Sequence, residues 1–185
     1  EIFKIGFGFV EVGTVTPKKQ YGNEKPRVFR LEKDQALINR LGFNNDGSEI
    51  IKKRIEYNTP NGLLGINIGP NKDTDDMLND FLLCAKIFFP IGDYITINIS
   101  SPNTEGLRSF HNKENLEKLL LKTNEIREKS NFKKSFLLKI SPDLDDQSIN
   151  NIVDLSLKTN INGIILTNTS DKNRDKLQDS KKSEK

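Results

Sequence analysis

The sequence has 185 residues, enough for one domain with a core of its own. Its formal net charge of +3 divides unevenly, because Asp171 to Lys185 hold six Lys or Arg and four Asp or Glu, leaving the body only +1. A near-neutral body has no electrostatic footprint for nucleic acid, a single cysteine excludes an internal disulfide or a Cys-based zinc site, and no apolar run approaches the ~20 residues of a membrane span.

Glu1 is not an initiator methionine and no signal peptide opens the chain, so an upstream start is expected. Phe9–Thr16 is rich in β-branched and aromatic residues and reads as extended. Asp34–Arg40 and Ser48–Tyr57 read as helical. Strand Leu63–Ile68 then precedes helix Thr74–Phe89, with Asp73 or Thr74 as its start signal. Within that helix Cys84 sits in an apolar stripe, Phe81 to Ala85, and reads as a buried structural thiol. Strand Tyr94–Ile99 leads through a polar loop to His111, expected to be a solvated loop histidine with no second His to complete a metal site or triad. Helix Lys113–Lys129 carries Leu116, Leu119, Leu120, Thr123 and Ile126 on one face, a stripe for docking on a sheet. Strand Phe136–Ile140, helix Asp145–Lys158 with Asp143 ahead of it, and strand Gly163–Thr167 complete the body. The carboxylate pairs Asp75-Asp76 and Asp145-Asp146 stand at helix starts and read as caps rather than catalytic acids. Strands alternating with helices argue for βαβ units and a parallel sheet, with helices around a barrel or on two faces of an open sheet. Asp171–Lys185 is polar and aperiodic, and is expected to be an exposed loop or a disordered end.

Each extended run ends in a small polar or charged group: Gly13-Thr14, Asn67, Asn98 with Ser100-Ser101, Lys139, and Thr167-Asn168. In a parallel sheet these ends share one rim, where a (β/α)8 barrel gathers its active site and a doubly wound sheet keeps its ligand edge. Asn and Thr after a strand are also ordinary turn residues, so none singles out a site alone. Lys139 is different. It interrupts the apolar run Phe136 to Ile140, where an ammonium is costly unless it is paired or faces a ligand. Neither the dinucleotide glycine fingerprint nor the P-loop pattern is present.

Six motifs in order then carry a resemblance. Gly6-Phe7-Gly8-Phe9-Val10-Glu11-Val12-Gly13-Thr14-Val15-Thr16-Pro17, Lys25-Pro26-Arg27-Val28-Phe29-Arg30-Leu31 and Ile38-Asn39-Arg40-Leu41-Gly42-Phe43-Asn44 resemble class 2, quinone-dependent dihydroorotate dehydrogenases. So do Gly65-Ile66-Asn67-Ile68-Gly69, Asn98-Ile99-Ser100-Ser101-Pro102-Asn103-Thr104 and Thr167-Asn168-Thr169. The likeness runs from about Lys4 to Ser170. Soluble class 1 relatives carry cysteine at the position of Ser101, and the quinone-linked class carries serine.

The resemblance implies an α/β fold, a (β/α)8 TIM barrel of which about five of eight parallel strands are present. Residues 1–170 would form a partial FMN and substrate domain, and 171–185 a charged loop or disordered tail. The implied reaction oxidises (S)-dihydroorotate to orotate in pyrimidine biosynthesis, with FMN as hydride acceptor and a membrane quinone as final acceptor. By resemblance Ser101 is the base, and Thr104 with a water next to Phe43 relays the proton. Asn39, Phe43, Asn98, Asn103, Asn168 and Thr169 resemble the substrate contacts, since an amide side chain offers both a donor and an acceptor to orotate's ring edges. Gly13, Thr14, Asn67, Asn98, Lys139 and Thr167 resemble FMN contacts, with Lys139 beside the flavin pyrimidine ring. Arg27 and Arg30 resemble the quinone-tunnel segment, although two solvated loop arginines is an equal reading. No metal is implied.

The family meets its membrane, bacterial inner (cytoplasmic face) or mitochondrial inner, through an N-terminal helical segment that this sequence does not include. The family's first strand and last two are not included either. An open arc is therefore expected, edged by Phe9–Thr16 and Gly163–Thr167, which should not work as an enzyme alone. Two other readings stand beside this one: a truncated non-catalytic barrel paralogue, and another FMN barrel oxidoreductase acting on a pyrimidine. Intact Ser101, Lys139 and the asparagines argue against the first, and Ser101 with the Arg27/Arg30 segment against the second.

Overall fold

The computed structural model describes residues 1–102, 104 and 106–184. In chain order it runs through β1 (Phe9–Val15), β2 (Val28–Leu31), β3 (Ala36–Asn39), α1 (Ser48–Tyr57), β4 (Leu63–Ile68) and α2 (Met77–Phe88). Then come β5 (Tyr94–Asn98), α3 (Lys113–Lys129), β6 (Ser135–Ile140), α4 (Asp146–Lys158) and β7 (Gly163–Leu166). Among the described residues, β1, β4, β5, β6 and β7 form one parallel sheet in that order, with β1 and β7 at its edges. The parallel sheet is what the alternating strands and helices predict, and its sequence-ordered open arc is what the resemblance implies. No helix among the described residues is long and apolar enough to cross a membrane.

The two faces of the sheet differ because side chains alternate along each strand. Leu64, Ile66 and Ile68 of β4, Ile95 and Ile97 of β5, and Phe136, Leu138 and Ile140 of β6 point to the helical side and are buried. There they meet Phe81, Cys84 and Phe88 of α2, Leu116, Leu119 and Leu120 of α3, and Ile152 and Leu155 of α4. Burying each Leu, Ile or Phe contributes roughly 1.5–3 kcal/mol, so this layer holds the sheet to its helices. The predicted stripe of α3 is the face that docks. Asp76 caps α2 by accepting from the Asn79 N–H at 2.9 Å, and Asp145 caps α4 by accepting from the Ser148 N–H at 2.7 Å. Both helices therefore start later than Asp73, Thr74 or Asp143 would place them.

The opposite face is concave. Phe9, Glu11, Leu63, Tyr94, Ser135, Leu137 and Ile165 line a hollow of about 750 Å³ on it. Gly65 is required there, because a Cβ would lie 2.0 Å from Cζ of Tyr94, whose ring crosses the strand. At the base of the sheet Asp93 accepts from the Leu64 N–H at 2.9 Å and from Lys134 Nζ at 2.8 Å, tying the starts of β4 and β6 together.

Three expectations are corrected. Asp34–Arg40 is not a helix. A 3-10 turn at Glu32–Asp34 ends at Gln35, whose φ of 48° breaks the spiral, and Ala36–Asn39 then pairs antiparallel with Val28–Leu31. The apolar residues there follow a period of two, which buries Phe29, Leu31 and Ile38 together. His111 is not a solvated loop residue. It closes the turn Leu107–His111, half-buried, and burial together with the Arg108 charge pushes its pKa down to about 4. Asp143 does not cap α4 but takes part in a cluster described below.

Cys84 is buried as expected, its thiol facing the Val15 carbonyl at 3.8 Å, and burial followed by the Asp80 charge raises its pKa. The segment after Asp171 runs largely exposed, with 3-10 turns at Arg174–Lys176 and Ser180–Ser183. It is tied to the hairpin where the N–H groups of Gln178 and Asp179 both donate to the Asp34 carboxylate.

Candidate active site

A bulge in β1 begins the site. Val12 pairs with Ile66 and Val15 with Ile68, so two residues of β1, Gly13 and Thr14, stand opposite Asn67 alone. Gly13 has φ +131° and a Cβ there would lie 2.4 Å from the Asn67 carbonyl oxygen, so only glycine permits this approach. The extra residue turns Thr14 onto the concave side. Its hydroxyl donates to Asn67 Oδ1 at 2.7 Å and accepts from Asn98 Nδ2 at 3.0 Å. Asn98 Nδ2 also reaches Asn67 Oδ1 at 3.2 Å, while Asn98 Oδ1 accepts from the Ser100 hydroxyl at 2.6 Å and the Ser100 N–H at 3.1 Å. Three strand ends are thus joined into one hydrogen-bonded cluster.

Glu11 orients it from below. Asn67 Nδ2 donates to Glu11 Oε1 at 2.8 Å and Thr96 Oγ1 donates to Glu11 Oε2 at 2.7 Å. A carboxylate only accepts, so the Asn67 amino group must face Glu11 and its oxygen must face Thr14 and Asn98. Burial, and then the neighbouring Glu11 carboxylate, push the Tyr94 phenol up to about 12. The sequence reading missed Glu11 and Thr96. The signal was present, since Glu11 interrupts Phe9-Val10-Glu11-Val12 as Lys139 interrupts β6.

The other candidates lie around this cluster. Lys139 is the register partner of Asn98, half-buried, with no carboxylate paired to it among the described residues. Ser101 is buried at 4% exposure just beyond β5. Thr104 is 3% exposed, and its hydroxyl has no partner among the described residues. Asn103 lies outside the described residues. Phe43, at φ 52°, places its ring by Gly69, where the Thr14 methyl also lies close. Asn168 continues β7, its N–H donating to the Ile140 carbonyl and its Oδ1 accepting from the Thr169 N–H at 2.7 Å. Thr167 is exposed beside it.

Asn39, Pro102 and Thr169 line a cleft of about 520 Å³ between the hairpin and the C-terminal segment. Substrate candidates from β3 and the β7 end therefore converge next to the neighbour of Ser101. Arg27 and Arg30 do not converge. The Arg27 guanidinium donates to the Tyr21 and Asn23 carbonyls at 2.8 and 3.1 Å, whereas Arg30 stands on the exposed side of β2. Among the described residues no group of three or more His, Cys, Asp or Glu is placed to hold a metal ion.

Comparison with known proteins then places the chain. The family model for dihydroorotate dehydrogenase matches residues 1–185. The chain is 44% identical over 173 residues to the dihydroorotate dehydrogenase (quinone) of Bartonella tribocorum, covering 91% of this chain and 48% of that protein. It is 46% identical over 187 residues to the protein of the same name from Idiomarina loihiensis, covering 98% and 56%. Among solved structures it superimposes on Eimeria tenella DHODH in complex with ferulenol with a TM-score of 0.92 at 36% identity, covering 99% of this chain and 56% of that one. The ligand-free form gives 0.88 at 38%. The chain spans about half the length of the curated relatives it matches, and its five-stranded sheet is part of a (β/α)8 barrel.

Proposed function

The chain belongs to the dihydroorotate dehydrogenase family, and from that membership we propose that the rim described above oxidises (S)-dihydroorotate to orotate, using bound FMN and returning the electrons to a membrane quinone. The observation that carries this reading is the gathering on one rim of a buried serine, a lysine with no carboxylate partner among the described residues, and a hydrogen-bonded set of asparagine and threonine side chains. The names of the relatives favour it over a non-catalytic paralogue or an enzyme for another pyrimidine.

The residues present fit a flavin. Lys139 is a half-buried cation without a carboxylate partner among the described residues, suited to a ring system that becomes anionic on reduction. Gly13, Thr14, Asn67, Asn98 and Thr167 would hold the ring and its substituents. Bound FMN would supply the acceptor for the hydride that leaves the substrate. Ser101 Oγ takes the proton from the adjacent ring carbon. A serine hydroxyl is a weak base, so the proton passes on through Thr104, whose buried hydroxyl has no partner of its own among the described residues, and through water beside Phe43. Asn39, Asn98, Asn103, Asn168 and Thr169 hold the substrate ring by its amide and carbonyl edges.

A quinone is lipid-soluble, so reoxidation takes place at a membrane surface, the bacterial cytoplasmic face or the mitochondrial inner membrane. Arg30, exposed on β2, supplies the quinone contact, while Arg27 braces that segment through the Tyr21 and Asn23 carbonyls. Anaerobic mixing of the flavin-loaded full-length protein with dihydroorotate tests the reading. Bleaching of the flavin with stoichiometric orotate is the expected result, and an oxidised flavin after prolonged incubation would overturn it.

A further inference from the structure

Beyond the strand ends, the loops that follow β5, β6 and β7 meet at one buried carboxylate. Asp143 lies in the loop after β6, four residues past Lys139, and its side chain is 6% exposed. Its Oδ1 accepts from the Ser170 hydroxyl at 2.6 Å. Its Oδ2 accepts from the Asp171 N–H at 3.2 Å and from Arg108 Nη2 at 3.4 Å. Its backbone carbonyl takes Lys172 Nζ at 3.0 Å, and its own N–H donates to the Ser141 hydroxyl at 3.2 Å. Arg108 Nη1 stands 3.5 Å from the Asp171 carboxylate as well.

Arg108 belongs to the turn Leu107–His111, which follows the Ser101–Thr104 segment. That turn is anchored, since Leu107 is fully buried and the Phe110 ring meets Phe81 edge-on at 5.5 Å. Ser170 and Asp171 directly follow Asn168 and Thr169; Asn168 is tied to β6 through its N–H on the Ile140 carbonyl, and the other bonds of Thr167 to Thr169 are local. Among the described residues, the tethers of residues 170–172 to other elements end on Asp143 or Arg108. An exposed ion pair of this length would contribute little. Here the carboxylate side chain is only 6% exposed and both its oxygens are engaged, so removing its charge weakens several charge-assisted bonds at once.

We infer that Arg108, Asp143 and Ser170 form a clasp that positions the Asn168–Thr169 segment against the Ser101 loop, which makes them positioning residues for substrate binding. The inference rests on the reading of the rim as the dihydroorotate site, and it extends that reading to residues that do not touch the ring. The clasp sets one wall of the cleft shared by Asn39, Pro102 and Thr169.

Two measurements on the flavin-loaded full-length protein test it. In the ligand-free form, Asp143→Asn should speed hydrogen exchange of the amides of residues 169–172 by about tenfold or more, the scale of one lost charge-assisted bond, with β4, β5 and β6 amides unchanged. Titrated with orotate, Asp143→Asn should bind about tenfold more weakly while flavin content and melting temperature hold. Ser170→Ala, a change at an exposed residue that carries no folding risk, should show the same pattern to a smaller degree. Ser170→Thr keeps the hydroxyl and should restore it. Unchanged exchange at 169–172, or acceleration shared equally by the core strands, would overturn the clasp, as would unaltered orotate affinity in both loss variants. Failure of the unmodified protein to bind orotate would instead overturn the functional reading, and the exchange result would still decide the clasp.

Discussion

Replacing Glu11 by leucine removes the acceptor for two buried donors at once. Asn67 Nδ2 and Thr96 Oγ1 donate to it at 2.8 and 2.7 Å, and Asn67 and Thr96 are 4% and 0% exposed. Each donor left unmatched costs about 1–3 kcal/mol, so the two together cost about 2–6 kcal/mol. The leucine regains about 1–2 kcal/mol by lying against Leu63 and Leu137 in the hollow. The net expectation is a loss between about 0 and 5 kcal/mol in stability, centred on about 2–3 kcal/mol. Glu11→Gln behaves differently. Its Oε1 still accepts from Asn67, and the Thr96 hydroxyl can rotate to accept from its amide nitrogen, so the change stays within about 1 kcal/mol. Urea unfolding of the full-length protein, followed by circular dichroism, measures both. Flavin titration reports the consequence for the rim, because Asn67 released from Glu11 is free to turn its amide and break the bonds to Thr14 and Asn98. A leucine variant as stable as the parent, with unaltered flavin affinity, would refute this account of how the cluster is oriented.

Asp93 is held below its ordinary pKa of 3.8, first by the Leu64 N–H and then by Lys134. Its contribution is therefore complete above pH 3.8 and is lost as pH falls through its folded value, so Asp93→Asn should cost about 1 kcal/mol at neutral pH and nothing in strong acid. Urea melts of both proteins across that range check the sign. Arg30→Ala should slow reoxidation of the flavin by quinone and leave its reduction by dihydroorotate unchanged, and a loss confined to the reductive half-reaction would place the arginine elsewhere. Cys84, buried and with its thiol raised by burial, should react with a thiol reagent only after unfolding.

Much of the fold is legible because its strands lie in two-faced layers with apolar residues on the helical side. β4, α1 and α3 begin and end where the pattern places them. The hairpin is not legible in the same way. Ala36-Leu37-Ile38 is too short an apolar run to distinguish periods of two and 3.6, and what decides it is pairing with Val28–Leu31 and the turn at Gln35. The rim asparagines and Lys139 stand out because polar groups end apolar strands. Glu11 and Thr96 do not, since they come from different strands and meet Asn67 only through register. Asp143 looks like a helix cap in one dimension. Its role depends on Ser170, which lies 27 positions away.

The base assignment is the centre of the account, and Ser101 tests it most directly. Anaerobic stopped-flow of the flavin-loaded full-length protein with dihydroorotate gives the rate of flavin reduction for the parent, Ser101→Ala and Ser101→Cys. Loss of a general base costs about 10²–10⁴-fold, so the alanine variant should bind flavin and reduce it slower by that factor, while the cysteine variant keeps part of the rate through its thiolate. Equal rates for the parent and Ser101→Ala would contradict the account.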